Sequence, residues 1–69
     1  MWSVIESTMM GSKQKEIDVV EATDYASALQ TWADQEDIVV DGVNHYYLEN
    51  NTKIVDKSTY KMYCVREIR

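Results

Sequence analysis

Proline is absent from this 69-residue chain, and glycine occurs only twice, at Gly11 and Gly42. With so few chain breakers, and with 45% hydrophobic against 28% charged residues, the composition is that of a folding chain and not of a disordered one. A single cysteine, Cys64, excludes an internal disulfide, and one histidine, His45, with that one cysteine cannot make up a usual zinc ligand set. The lone cysteine and the want of an N-terminal apolar run with a small-residue cleavage site lead to the expectation of a reducing, cytoplasmic home. Nothing approaches the ~20 consecutive apolar residues of a membrane span, so no membrane partner is expected. Cations are also missing where they would be informative. From Glu16 to Asn51 there are nine acidic residues and no lysine or arginine, whereas Lys53 to Arg69 holds five basic residues against two acidic ones. The formal charge of −5 argues against a generic nucleic-acid binder, which carries a basic excess.

A chain of this length makes one domain, residues 1–69, and buries only ~60% of the surface that it exposes when unfolded. A deep catalytic cleft has no room. With disulfide and zinc excluded, good local structure or self-association must stabilise the fold.

What is present reads as alternating elements. WSVIESTMM is rich in strand-forming residues, Gly11-Ser12-Lys13-Gln14 reads as a turn, and KEIDVVEA follows as a second strand with Ile17 and Val19 on one face, Asp18 and Val20 on the other. Thr23 and Asp24 are good helix N-caps. Tyr25, Ala28, Leu29, Trp32 and Ala33 then recur at helical spacing, which predicts an amphipathic helix from about Asp24 to about Gln35. Beyond it, Asp41-Gly42 suits a two-residue hairpin turn that would pair Ile38–Val40 briefly with a strand through Val43, Asn44, His45, Tyr46, Tyr47 and Leu48. Asn50-Asn51 and Asp56-Lys57-Ser58 are turn clusters with the apolar pair Ile54-Val55 between them. The last strand, STYKMYCVREI, alternates Tyr60, Met62 and Cys64, expected inside, against Lys61, Tyr63 and Val65. The expected fold class is therefore α+β, in the order β-β-α-β-β, with an antiparallel sheet of four to five strands and one helix packed on one face.

No catalytic constellation stands out. His45 is the only neutral-pH base, no nucleophile signature accompanies it, and Cys64 falls on the expected core face of its strand. The calcium-loop pattern is missing, and neither glycine sits in a phosphate-cradling loop that opens a helix. No cofactor and no metal are expected, and the chain is read as a non-enzyme.

Two surfaces are candidates for binding a partner. Asp34, Glu36, Asp37 and Asp41 crowd the helix C-terminus, where the macrodipole prefers cations; they read either as a solvated helix end or as carboxylates that face a basic partner. If Tyr46 and Leu48 face the core, His45 and Tyr47 lie opposite, and neighbouring strands would place them with Lys61 and Tyr63 on the uncovered side of the sheet. Aromatics interleaved with a lysine there would anchor a protein interface or stack single-stranded nucleic acid, unless they are plain strand residues.

Val4, Glu6 and Thr8 of the first strand, Ile17, Val19 and Ala22 of the second and Ala28 of the helix form a strand, strand, helix unit. In these positions the first half of the chain resembles the DpnD/PcfM-like small accessory proteins of bacteriophages and mobile elements. The DG, HYY and MYCVREI segments lie outside the likeness. It implies a phage or mobile-element origin more than an activity.

The reading that results is a small accessory protein that inhibits or modulates a host protein by binding it, with no chemistry of its own. An acidic patch would steer such a chain to a basic host surface. The alternatives are a nucleic-acid module using His45, Tyr47, Lys61, Tyr63 and Arg66, and a structural homodimer formed by pairing sheet faces or edges.

Overall fold

The computed structural model describes residues 1–68 and has an α+β fold: one antiparallel sheet of five strands and a single helix among those residues. In chain order the elements are β1 (Trp2–Thr8), β2 (Lys15–Val20), α1 (Tyr25–Gln35), β3 (His45–Leu48), β4 (Lys53–Asp56) and β5 (Lys61–Glu67). The strand order across the sheet is β2-β1-β5-β4-β3.

The first hairpin forms where the Gly11-Ser12 turn is expected, closed by Gly11 N donating to Thr8 O and Thr8 N donating to Ser12 O. Its second strand is not a simple alternation. Val4 pairs with Asp18 but Ile5 pairs with Glu16, so Ile17 is the extra residue of a β-bulge. The slip sends Val20 into the core and leaves Val19 exposed, while Ile17 packs at the core's border, so Ile17 and Val19 do not share a face as alternation alone suggests.

The helix begins at Tyr25 with Asp24 as its N-cap, whose Oδ1 accepts from Ser27 N at 2.8 Å. Ala28, Leu29, Trp32 and Ala33 are buried in one cluster with Val4, Val20 and Ile54, as the helical spacing requires, whereas Tyr25 is exposed. A fully buried Leu such as Leu29 contributes ~2 kcal/mol by removal from water. The helix ends in a Schellman motif. Asp37 takes a left-handed conformation (φ 55), its N–H reaches Asp34 O, and Ile38 N reaches Ala33 O at 2.8 Å. Ile38 is thereby turned back against the core, so Ile38–Val40 forms no strand. Asp41-Gly42 likewise makes no two-residue hairpin. Asp41 Oδ1 accepts from Val43 N and Asn44 N, and Gly42, at φ 81, donates to His45 O.

The fifth strand is instead Ile54-Val55 with its flanks. Glu49, Asn50 and Asn51 are all left-handed, a conformation that Asn tolerates, and Thr52 N closes the turn onto Leu48 O. β4 then lies inside the sheet between β5 and β3, and Ile54 and Val55 are among its most buried side chains.

Register defines the two faces. Tyr47, Ile54 and Tyr63 stand in one row across β3, β4 and β5, continued by Glu6 on β1. Ile54 belongs to the cluster with the helix, Tyr47 and Tyr63 pack against that cluster, and the Tyr63 ring lies 4.7 Å from the Trp32 ring, tilted by 37°. The face with His45, Tyr47, Lys61 and Tyr63 is therefore the one that meets α1, and the expectation of an uncovered aromatic face is reversed. Met62, Cys64, Tyr46 and Leu48 lie on the opposite side, and Tyr60 is exposed in a turn ahead of β5.

Candidate functional site

Where the C-terminal half of α1, the following loop and β3 come together, a slot of about 300 Å³ is lined by Gln30, Asp34, Ile38, Val39, Val40 and Tyr47. Gln30 and Asp34 lie one helical turn apart, so they share a flank, and Gln30 Nε2 donates to Asp34 Oδ1 at 2.9 Å. Tyr47 Oη donates to Gln30 Oε1 at 3.0 Å, which ties β3 to the helix. The Schellman turn brings Ile38, Val39 and Val40 round as the apolar wall. The slot sets the apolar side chains of Ile38, Val39 and Val40 beside the polar groups of Gln30, Asp34 and Tyr47.

The other acidic residues have separate duties. Glu36 caps the helix C-terminus, its N–H bonded to Trp32 O. Asp37 occupies the left-handed position, and Asp41 builds the turn that leads into β3. Hydrogen bonds from Val43 and Asn44 hold the Asp41 carboxyl below its ordinary pKa. Burial, with the charges of Glu6, Asp56 and Glu36 adding to it, raises the Tyr63 phenol above its ordinary value.

The remaining sequence-derived candidates are dispersed. His45 Nε2 is 3.7 Å from Asp56 Oδ2, across the β3–β4 ladder. Lys61 Nζ is 3.3 Å from Glu6 Oε1. β3 and β5 are not neighbours, because β4 separates them; Asp56 stands between His45 and Lys61, and Ile54 between Tyr47 and Tyr63. The structure thus joins Asp34 and Tyr47 in one site, and puts Tyr63 under the helix. Arg66 is on the opposite face, where its guanidinium reaches Gln14 Oε1 at 3.5 Å. There a shallow trough of about 470 Å³ runs over Ser3 and Ile5 between Lys15 and Glu16 on one side and Arg66 on the other. Ser3 Oγ in its floor is buried and without a hydrogen-bond partner among the described residues, as is Trp32 Nε1 in the core.

Sequence reasoning missed Gln30, Ile38, Val39 and Val40 as parts of the site. The i, i+4 spacing of Gln30 and Asp34 was a usable signal. Nothing in the pattern of Ile38–Val40 distinguishes a strand from the wall of a slot.

Among the described residues no group of three His, Cys, Asp or Glu side chains is placed to hold a metal ion, and no helix is long and apolar enough to cross a membrane. In comparison with known proteins, no family model, no curated protein and no solved structure matches the chain significantly.

Proposed function

We propose that the chain is a small cytoplasmic accessory protein that binds a basic surface of a host protein and modulates or inhibits it, without chemistry of its own. The observation that supports this is the slot beside β3, whose apolar wall of Ile38, Val39 and Val40 leads to Asp34. A lysine or arginine stem fits along the wall with its cation at the carboxylate, the usual way in which long basic side chains divide between apolar and polar surroundings. Glu36, Asp37 and Asp41, near Asp34 in the chain, add like charge, which favours encounter with a cationic patch. The phage or mobile-element origin rests on the resemblance of the first half of the chain alone.

Capture from a lysate of the source host tests the reading, with wild type, Asp34→Lys and Tyr47→Ala compared at low and moderate salt. A specific protein should be retained by the wild type and reduced at least ~10-fold by Asp34→Lys, the range expected when one partner of a charged interfacial pair is reversed. An identical bound set for all three chains would refute the slot as the binding site. Retention of single-stranded oligonucleotides that weakens steeply with salt would replace the reading by the nucleic-acid alternative.

A further inference from the structure

β1 runs between β2 and β5, and on the side of the sheet away from α1 it carries Ser3, Ile5 and Ser7. No second layer covers that side among the described residues, yet the three are only 6%, 7% and 5% exposed. Arg66 accounts for part of the cover. It pairs with Ser3, whereas Gln14 precedes Lys15, the partner of Glu6, so the contact of the Arg66 guanidinium with Gln14 Oε1 runs obliquely past Ile5. At 3.5 Å that contact is at the limit of a hydrogen bond, and its acceptor is a neutral amide. The trough of about 470 Å³ lies over these residues, and two unmet needs converge in it. Ser3 Oγ is buried without a partner, a costly state for a hydroxyl. Lys53 pairs with Glu49 and Lys61 with Glu6, whereas neither Arg66 nor Lys15 has a carboxylate of the described residues within ion-pair distance. Ser3 and Arg66 stand directly opposite each other in the β1–β5 register, so one ligand group reaches both.

We propose that the trough binds the carboxylate of a small monoanionic ligand with a short apolar tail, Arg66 and Ser3 Oγ donating to its oxygens and Lys15 adding charge from the facing wall. A carboxylate matches the planar fork of the guanidinium, and its remaining lone pairs accept from the Ser3 hydroxyl. Arg66 thereby exchanges a long contact with an amide for a charge-assisted pair, and its departure from Gln14 uncovers Ser3. Glu16 and Glu67 also line the trough, which keeps its charge near neutral and disfavours a dianion such as phosphate. Ile5 in the floor and Ile68 supply apolar surface for the tail. The trough shares no residue with the slot beside β3, so the proposal does not rest on the host partner proposed above.

Titration of the isotope-labelled protein with isovalerate, followed by the NMR shifts of its backbone amides, tests the site, and the dispersion of each spectrum shows that the variant is folded. Isovalerate should shift the amides of Ser3, Ile5 and Arg66 in a saturable way, with a Kd of millimolar order. Isovaleramide, which has the same shape without the charge, and inorganic phosphate should each bind at least ~10-fold more weakly. Arg66→Gln should raise the Kd for isovalerate at least ~10-fold, as expected when a charged hydrogen-bond partner is lost. Ser3→Ala should raise it ~3-fold or more and also raise the melting temperature, because the variant has no buried hydroxyl to satisfy. Lys53→Gln, on the same side of the sheet but outside the trough, should leave the Kd unchanged. The absence of saturable shifts would overturn the proposal, as would isovaleramide or phosphate binding as tightly as isovalerate. So would isovalerate binding that neither Arg66→Gln nor Ser3→Ala weakens.

Discussion

Aspartates in this chain are first of all backbone ligands. Asp24, Asp41 and Asp56 each accept main-chain N–H groups: Ser27 for the first, Val43 and Asn44 for the second, Ser58 and Thr59 for the third, with the Ser58 hydroxyl as well on Asp56. All three are lowered from the ordinary value of 3.8: by the Ser27 hydrogen bonds for Asp24, by the Val43 and Asn44 amides for Asp41, and by the Ser58 hydroxyl first for Asp56. A carboxyl held below its unfolded pKa adds stability that is fully present above the unfolded value and is lost as pH falls through the folded one. Thermal stability should therefore be level from pH ~7 to ~5 and fall as the pH drops through ~4 and below. Asp24→Asn/Asp56→Asn keeps an acceptor oxygen at each turn and removes the titration, so its melting temperature should fall less steeply with acid. A double variant with the wild-type acid limb would show that these two groups do not carry it. Asp41 in particular, read from sequence as part of a charged patch, is also a structural residue, a role that an Asx turn before an otherwise unremarkable loop conceals.

At the scale of elements, the helix terminus invites a simple change. Asp37 pays the Cβ penalty of a left-handed position and places a carboxylate at the negative end of the helix dipole. Asp37→Gly removes both costs while the Ala33–Ile38 bond of the Schellman motif remains, so the melting temperature should rise by several degrees, or ~1 kcal/mol. A lower melting temperature in a thermal scan would show that the carboxylate makes a compensating contact. The helix itself was legible because its apolar spacing and Asp24 cap are local signals. β4 was not, because a four-residue strand inside a sheet has too few positions to show a period, and Ile54-Val55 reads as a hyphen between two turns. The two faces of β5 were legible as sets; Met62 is buried as expected, but the helix covers the other set. Lys61 suggested that its own set was the wet one. It lies at the end of the strand, where its ammonium reaches Glu6, while Tyr63 two residues on meets Trp32 under the helix. A bulge defeated the alternation of β2 in the same way, by one residue.

For the molecule as a whole, salt should stabilise the fold. Nine carboxylates and no lysine or arginine lie between Glu16 and Asn51, a stretch that includes the helix and both of its flanking loops. The ion pairs Lys53–Glu49 and Lys61–Glu6 involve partly exposed groups, which contribute ~0–1 kcal/mol each. Repulsion within the acidic half outweighs them, and it is long-ranged when the Debye length is ~30 Å but largely screened when it is ~8 Å. Raising ionic strength from about 0.01 M to about 0.15 M should therefore increase the melting temperature by about 3 °C in a thermal scan. A stability that falls with salt would mean that attraction between the basic end of the chain and the acidic loops dominates the fold.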